Sequence, residues 1–257
     1  MVEPILSVSN ITRDFGTFRA VDGVSLDISG GSITGLIGPN GAGKTTLFNV
    51  LTGMLPPSSG SISFGGKDVT GMSPDRLFEF GLGRTFQIPR PFSRMSVLEN
   101  VMLAPLAQVG ERLSGPFLRS REMRNQEQAI HARAMEVLKF VTLDALADQA
   151  AGQISGGQKK LLELARVLMA DPQLILLDEP AAGVNPSLTR VLIEKIEELN
   201  DGGKTFLIIE HDMDFVMKHC DPVIALAEGK VVFQGTAQEA QVNPILLDAY
   251  LGAQADV

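Results

Sequence analysis

Eight consecutive residues have the composition and spacing of a loop that binds nucleotide phosphates. Glycines let backbone N–H groups close around phosphate oxygens without a clash from Cβ, and the start of a following helix adds a favourable dipole. Lys44 is expected to reach the β- and γ-phosphates, Thr45 to coordinate Mg²⁺ through its hydroxyl, and Thr46 to join the phosphate contacts. The loop consists of Gly38, Pro39, Asn40, Gly41, Ala42, Gly43, Lys44 and Thr45. It predicts ATP or GTP binding, and the alternative is a glycine turn beside an unrelated lysine.

Two carboxylates after a short apolar run favour hydrolysis over binding alone. The run is Leu174 to Leu177, and Asp178 and Glu179 follow it directly. α/β sheets place ligands at the carboxyl ends of their strands, and adjacent side chains of a strand point to opposite sides. We therefore expect Asp178 to belong to the Mg²⁺ shell and Glu179 to act on the attacking water as general base. The alternative is a solvated acidic strand end.

A serine and two glycines open a predicted long helix. Ser155 has the residue type of an N-cap, and the helix is expected to end before Asp171. Two glycines in a first helical turn are costly unless a ligand approaches the backbone closely. Gly156 and Gly157 are therefore candidate ligand contacts, together with Ser155 and Gln158. The alternative is an N-capped helix with a loose first turn.

In their order along the chain, these motifs resemble the ATP-binding-cassette (ABC) family, whose signature segment is Leu-Ser-Gly-Gly-Gln. The matching segment begins with Ile154, a conservative apolar change, and the resemblance extends over nearly the whole chain. It implies that Gln87 contacts Mg²⁺ and water, that His211 contacts the γ-phosphate, and that Phe15 stacks on adenine. Without the family, the alternatives are a surface glutamine, an ordinary histidine and a core phenylalanine.

The resemblance also implies a head-to-tail dimer with two composite sites. The segment from Ser155 to Gln158 of one subunit would close on ATP held by the phosphate loop of the other, and the second ATPase can be identical or homologous. A helix N-terminus with bare glycine amides suits the γ-phosphate. Asn185 stands where most members of the family have aspartate. Its amide can hydrogen-bond across the interface but brings no charge.

Three segments resemble the ATPases of branched-chain amino acid importers within this family. They are Glu179 to Pro186, the insertion around Gly110 to Arg121, and the tail from Leu247 to Gly252. The same subgroup includes relatives for urea, short amides and other polar solutes, and a related ATPase drives lipopolysaccharide export. The resemblance implies transmembrane permease subunits as partners and, indirectly, a periplasmic or extracellular solute-binding protein.

The segment from Ile88 to Met95 is the candidate docking site for the permease. It contains Arg90, Phe92 and Arg94, and it follows Gln87 directly, so that ATP occupancy could be transmitted to it. The alternative is a solvated loop.

The composition is that of a globular protein, with 44% hydrophobic and 20% charged residues. No apolar run approaches the roughly 18 to 20 residues of a membrane span, and the start of the chain shows no secretory signal. The single cysteine, Cys220, fits a reducing compartment. A formal net charge of -8 argues against nucleic acid as the main partner. We therefore expect a peripheral protein on the cytoplasmic face of the inner (plasma) membrane.

Strand and helix patterns alternate along the chain, which predicts an α/β fold with a parallel sheet. The expected fold is a P-loop NTPase with a RecA-like parallel core, an N-terminal antiparallel β lobe of short strands, and an inserted α-helical lobe. Within one domain of residues 1–257, we assign 1–87 and 166–235 to the core with its β lobe, 88–165 to the helical lobe, and 236–257 to a C-terminal helical tail.

Two other classes of protein stay open as alternatives. An ABC ATPase outside transport, as in DNA repair or on the ribosome, would usually have long coiled-coil insertions or two fused cassettes, and the sequence shows neither. A P-loop kinase would leave the segment from Ser155 to Gln158 unexplained.

Overall fold

A computed structural model of the chain describes residues 3–85, 89–105, 120–244 and 246. The strands are β1 (Pro4–Phe15), β2 (Phe18–Ser29), β3 (Ile33–Ile37), β4 (Ser59–Phe64), β5 (Lys67–Asp68), β6 (Leu82–Arg84), β7 (Leu174–Asp178), β8 (Thr205–Ile209), β9 (Val223–Ala227) and β10 (Lys230–Gly235). The helices are α1 (Lys44–Leu51), α2 (Pro74–Glu79), α3 (Val97–Met102), α4 (Ser120–Phe140), α5 (Gly156–Leu168), α6 (Pro186–Asp201), α7 (Met213–His219) and α8 (Ala237–Gln241).

The chain forms two compact units. The first comprises the described residues of Met1–Arg84, Gln173–Pro180 and Glu198–Val257. The second comprises those of Thr85–Pro172 and Ala181–Glu197. The first unit contains the phosphate loop, and the second contains the segment that begins at Ser155. The division of the domain into a core with a β lobe, a helical lobe and a C-terminal tail stays a prediction.

The first unit contains two sheets. Four strands form an antiparallel sheet in the order β2-β1-β4-β5, and six form a second sheet in the order β10-β9-β3-β8-β7-β6. In the second sheet only β10 runs antiparallel to its neighbour. Apolar residues of both sheets pack with Phe48 of α1 in one buried core.

The first two strands are longer than the short strands predicted from the sequence. Each has 12 residues, because the pairing absorbs irregularities as register shifts instead of ending at them. Gly23 and Asn10 have positive φ angles of 65° and 51° in this region, as bulged positions commonly do.

Register in the parallel sheet brings three strand ends to the same edge. Asp178 of β7 pairs with Ile209 of β8, and Ile209 pairs with Leu36 of β3. The phosphate loop follows β3, Asp178 ends β7 with Glu179 directly after it, and Glu210 and His211 follow β8. Parallel strands thus gather residues distant in sequence at their carboxyl ends, where α/β sheets bind ligands.

The second unit is helical. Helix α4 and the residue after it present an apolar face at helical spacing, and its residues are at most 4% exposed: Ala134, Val137, Leu138 and Val141. Helix α5 buries Leu161, Leu164, Ala165 and Leu168. Among the described residues, none of the helices combines the length and apolar composition that crossing a bilayer needs.

Candidate active site

The phosphate loop is held by backbone groups on both sides. Gly38 has φ of 149°, and a Cβ there would lie 2.2 Å from the carbonyl oxygen of Leu226. Gly43 has φ of 98°, and its Cβ would lie 2.5 Å from the carbonyl oxygen of Ala20. No side chain fits such distances, so both positions require glycine.

Lys44, the first residue of α1, is the second-to-last residue of the loop. Its Nζ donates to the carbonyl oxygens of Gly38 at 2.6 Å and Pro39 at 2.9 Å. Burial lowers the pKa of Lys44, and the nearby carboxylates of Glu179 and Asp178 oppose that shift. The other loop residues differ in accessibility: Ala42 is buried, Thr46 is half-buried, and Asn40, Gly41 and Thr45 are exposed.

Asp178 ends β7 and is only 5% exposed. Nη2 of Arg84 donates to Oδ2 of Asp178 at 3.2 Å, while Nη1 donates to Asn49 Oδ1 at 2.7 Å and Thr52 Oγ1 at 2.9 Å. Burial lowers the pKa of Arg84, and Asp178 opposes that shift. No role for Arg84 could be predicted from the sequence, because nothing in the sequence shows that β6 and β7 are neighbours.

Glu179 follows Asp178 on a left-handed backbone with φ of 47°. This conformation is unfavourable for a residue with a side chain, and such strain is typical of functional sites. It is held by the N–H of Glu179, which donates to the carbonyl oxygen of Ile209 at 3.0 Å. The turn lets two adjacent carboxylates diverge at one strand end.

The structure brings Glu179 and His211 together. Nδ1 of His211 lies 3.9 Å from Oε2 of Glu179 and 3.8 Å from Oε2 of Glu210. The His211 side chain is 64% exposed, whereas Glu210 is buried. A solvent-accessible imidazole beside the predicted general base is suited to contact a phosphate group.

Phe15 lies at the end of β1, where it pairs with Phe18 of β2. Both rings are exposed, Phe15 by 45%, and the Arg13 guanidinium lies 4.8 Å from the centroid of the Phe15 ring. Phe15 is therefore not a core residue. Strand β2 continues from Phe18 to Ala20, whose carbonyl group approaches Gly43, so the same hairpin borders the phosphate loop.

Ser155 is the N-cap of α5, as predicted. Its Oγ accepts from the N–H of Gln158 at 3.3 Å, and Oε1 of Gln158 accepts from the N–H of Ser155 at 2.8 Å. This reciprocal capping box fixes the first turn of the helix.

The two glycines of this turn have different surroundings. A Cβ on Gly156 would have no atom within 4 Å, whereas one on Gly157 would lie 2.7 Å from Leu188 Cδ1 and 2.9 Å from Val184 Cγ1. A side chain at position 157 would thus meet Leu188 and Val184 of the same chain, and contact of a ligand with the backbone of Gly156 and Gly157 stays a prediction. Gly156 and Ser155 remain exposed.

Asn185 caps α6. Its Oδ1 accepts from the N–H of Leu188 at 2.9 Å and from the hydroxyl of Ser187 at 2.8 Å. Asparagine and aspartate are equally good N-caps, so the replacement of the usual aspartate preserves this role.

Gln87 lies outside the described residues.

The oxygen ligands of this site fit Mg²⁺. In the described parts of the chain, no group of three or more His, Cys, Asp or Glu side chains could hold a metal ion. Mg²⁺ bound with nucleotides typically takes one or two protein oxygens and completes its shell with phosphate oxygens and water. Asp178 and Thr45 offer one carboxylate and one hydroxyl for that arrangement.

The sequence profile of the family described as ABC transporter matches residues 21–182. A probable branched-chain amino acid transport ATP-binding protein LivG of Archaeoglobus fulgidus is 41% identical over 254 residues, covering 97% of this chain and 96% of that protein. An ATP-binding cassette of an ABC transporter in its ADP conformation has a TM-score of 0.82 at 37% identity, covering 98% of this chain and 100% of that one. A dimeric cassette in a post-hydrolysis state, bound to ADP and Pi, has a TM-score of 0.74 at 25% identity, covering 90% of this chain and 98% of that one.

The chain therefore belongs to the ABC transporter family. It is an ATP-binding subunit with the P-loop NTPase fold, and it is an ATPase. Both the fold and the activity were predicted from the sequence. Within the family it is close to the ATP-binding subunits named for branched-chain amino acid transport.

Proposed function

We propose that this ATPase energises the uptake of branched-chain amino acids, or of a related polar solute, through transmembrane permease subunits. The observation that supports this most strongly is the 41% identity, over nearly the full length of both chains, to a protein named for that transport. The ATPase would act on the cytoplasmic face of the inner membrane, and a solute-binding protein outside would deliver the solute to the permease. Lipopolysaccharide export and non-transport roles are the alternatives that the experiment below separates.

In the proposed reaction, water attacks the γ-phosphorus of ATP and the bond to the bridging oxygen of ADP breaks. Glu179 accepts a proton from the attacking water, His211 contacts the γ-phosphate, and Lys44 compensates the phosphate charge. Gln87 would contact Mg²⁺ and water. Asp178 and Thr45 hold Mg²⁺, which neutralises charge on the β- and γ-phosphates when bound. Because Phe15 is exposed beside the loop, it can stack on the adenine ring.

The working site is proposed to be composite. Ser155, Gly156, Gly157 and Gln158 would contact ATP held by a second ATPase subunit, identical or homologous. Three features support this: the exposed backbone at Gly156, the N-terminus of a 13-residue helix beneath it, and the likeness to a dimeric cassette. A helix N-terminus favours a γ-phosphate electrostatically.

The described part of the proposed docking segment, residues 89–95, is tightly held at its backbone. The amide of Asn100, buried in α3, accepts from the N–H of Phe92 at 2.8 Å and donates to the carbonyl oxygen of Phe92 at 3.1 Å. The N–H of Arg90 donates to Oε1 of the buried Glu163 in α5 at 3.1 Å. The segment is thus attached to the helix that Ser155 caps.

The side chains of the same segment are accessible. Phe92 is 53% exposed and lies under the guanidinium of Arg166, which is 5.7 Å from the ring centroid. Arg90 and Arg94 are also exposed. A rigid backbone with an exposed aromatic ring and two cations suits the docking of a short permease helix, with the aromatic ring as its anchor.

The proposal is tested by reconstitution. The tagged chain would be purified from native membranes in mild detergent, its integral membrane partners identified, and the complex placed in liposomes with the cognate solute-binding protein. We expect leucine, isoleucine or valine to stimulate ATP hydrolysis and to enter the liposomes, and a Glu179→Gln complex to do neither. Stimulation by lipopolysaccharide, or recovery with ribosomes or DNA instead of a permease, would reject the proposal.

A further inference from the structure

We propose that Arg84 is a positioning residue for the Mg²⁺ site, and that it acts by fixing the Asp178 carboxylate against the helix that follows the phosphate loop. The inference rests on the proposed role of Asp178 toward Mg²⁺. It concerns a residue that touches neither nucleotide nor metal in the proposed mechanism.

One guanidinium joins three elements of the first unit. Arg84 ends β6, which pairs in parallel with β7 so that Arg84 lies opposite Leu176, two residues before Asp178. From there Arg84 reaches Asp178 at 3.2 Å and Asn49 of α1 at 2.7 Å. The edge strand of the sheet thereby links the acidic strand end to the phosphate-loop helix.

The hydrogen bonds leave little freedom to the guanidinium. The hydroxyl of Thr52 donates to the carbonyl oxygen of Phe48 at 2.7 Å, so its lone pairs face Arg84 and accept from Nη1 at 2.9 Å. The guanidinium also lies 5.8 Å from the centroid of the Phe48 ring. Both Arg84 and Asp178 are nearly buried, with side chains 11% and 6% exposed.

A lysine could not reproduce this arrangement. The guanidinium is planar and offers donors in a fixed fork, whereas an ammonium group is a compact point charge on a flexible stem. Mg²⁺ in turn demands near-octahedral geometry at short distances, whereas Ca²⁺ tolerates irregular shells. A carboxylate held in one orientation therefore favours Mg²⁺ in particular. Loss of a residue that orients a metal ligand typically weakens metal affinity by about 10- to 100-fold.

A purely structural ion pair is the competing explanation. Such a pair would affect the stability of the fold but not the linkage between Mg²⁺ and nucleotide. The two explanations are separated by measuring nucleotide affinity in EDTA and then titrating Mg²⁺ or Ca²⁺, since this readout needs no turnover.

The experiment compares the full-length protein with its Arg84→Lys and Arg84→Gln variants, with Asp178→Asn as the control that loses the metal ligand itself. Binding of a fluorescent ATP analogue is measured, and thermal unfolding reports folding. We expect affinity in EDTA to stay near that of the unaltered protein, while the Mg²⁺ concentration for half-maximal tightening rises about 10-fold in both Arg84 variants. The Ca²⁺ titration should shift less.

An unchanged Mg²⁺ titration in Arg84→Lys, with only a lower unfolding temperature, would overturn the inference. If neither Arg84 variant folds, Asn49→Ala decides, because it keeps the ion pair but removes one of the two acceptors of Nη1, leaving only Thr52. We expect a smaller shift in the same direction, and no shift would overturn the inference. If the unaltered protein fails to bind the ATP analogue in any condition, the proposed function fails instead.

Discussion

Gly157 lies so close to Leu188 that a methyl group on its Cα would be 2.7 Å from Cδ1 of that leucine, while the adjacent Gly156 borders open space. Two neighbouring glycines of one helical turn thus have different surroundings. Gly157 permits packing inside the second unit. Gly156 has no such constraint from its own chain among the described residues.

The first prediction follows from this difference. Gly156→Ala should fold with unchanged or slightly higher stability, since alanine favours a helix over glycine by about 1 kcal/mol, yet ATP-driven dimerisation and hydrolysis should fall. Gly157→Ala should instead lower the free energy of unfolding by about 1–3 kcal/mol through overpacking. Urea unfolding, light scattering and phosphate release distinguish the two. Full activity of Gly156→Ala would argue against a composite site.

The second prediction concerns Glu179, the proposed general base. Glu179→Gln keeps the size and the backbone contacts of the side chain but removes its capacity to accept a proton. Hydrolysis should fall at least about 100-fold, while nucleotide binding persists and Mg-ATP drives a stable dimer. Phosphate release and mass in solution measure both effects. The control is Glu228→Gln, which alters another glutamate at positive φ. Retained turnover in Glu179→Gln would assign the base elsewhere.

The site was predictable from the sequence wherever chemistry follows from local order. The phosphate loop, the two acids after the apolar run from Leu174 to Leu177, and the cap at Ser155 follow from neighbouring residues in the chain. The Arg84–Asp178 contact joins residues 94 positions apart through a strand of three residues, which has no periodicity to detect. Likewise, the sequence indicates that something lies too close to Gly157 for a side chain. It does not show whether that neighbour is a ligand or Leu188.

The third prediction concerns Asn100, whose amide holds the backbone of the docking segment at Phe92. Asn100→Ala leaves the N–H and carbonyl of Phe92 without their buried partner, so the free energy of unfolding should fall by about 2–3 kcal/mol. The matched control is Asn185→Ala, which removes an exposed helix cap and should cost about 1 kcal/mol. Chemical denaturation measures both variants. An equal loss in the two would show that the Asn100 contacts add nothing beyond a cap.

The fourth prediction concerns Cys220. The side chain is 3% exposed, and burial, with a further contribution from Glu210, raises the pKa of its thiol to about 12. Because the neutral thiol is the favoured form below that pH, little thiolate exists at pH 8 and disulfide reagents should react at least about 100-fold more slowly than with the unfolded chain. The rate is measured from the absorbance of the thiolate that the reagent releases when it reacts with Cys220. Rapid stoichiometric labelling of the folded protein would contradict the burial of this thiol.

The fifth prediction tests the docking segment directly. Phe92→Asp replaces an exposed aromatic anchor by a charge, while the backbone contacts of Phe92 with Asn100 are retained, so the fold and the basal ATPase activity should persist. In liposomes with the permease, solute uptake should be lost, and the solute should no longer stimulate hydrolysis. The reason is that the substitution removes the aromatic anchor and places a charge in the proposed interface. Phe80→Asp is the matched control, since it introduces the same charge at a ring that is 40% exposed in the other unit. Uptake by Phe92→Asp equal to that of Phe80→Asp would place the permease contact on another surface, and loss of basal ATPase activity would indicate a folding defect instead of uncoupling.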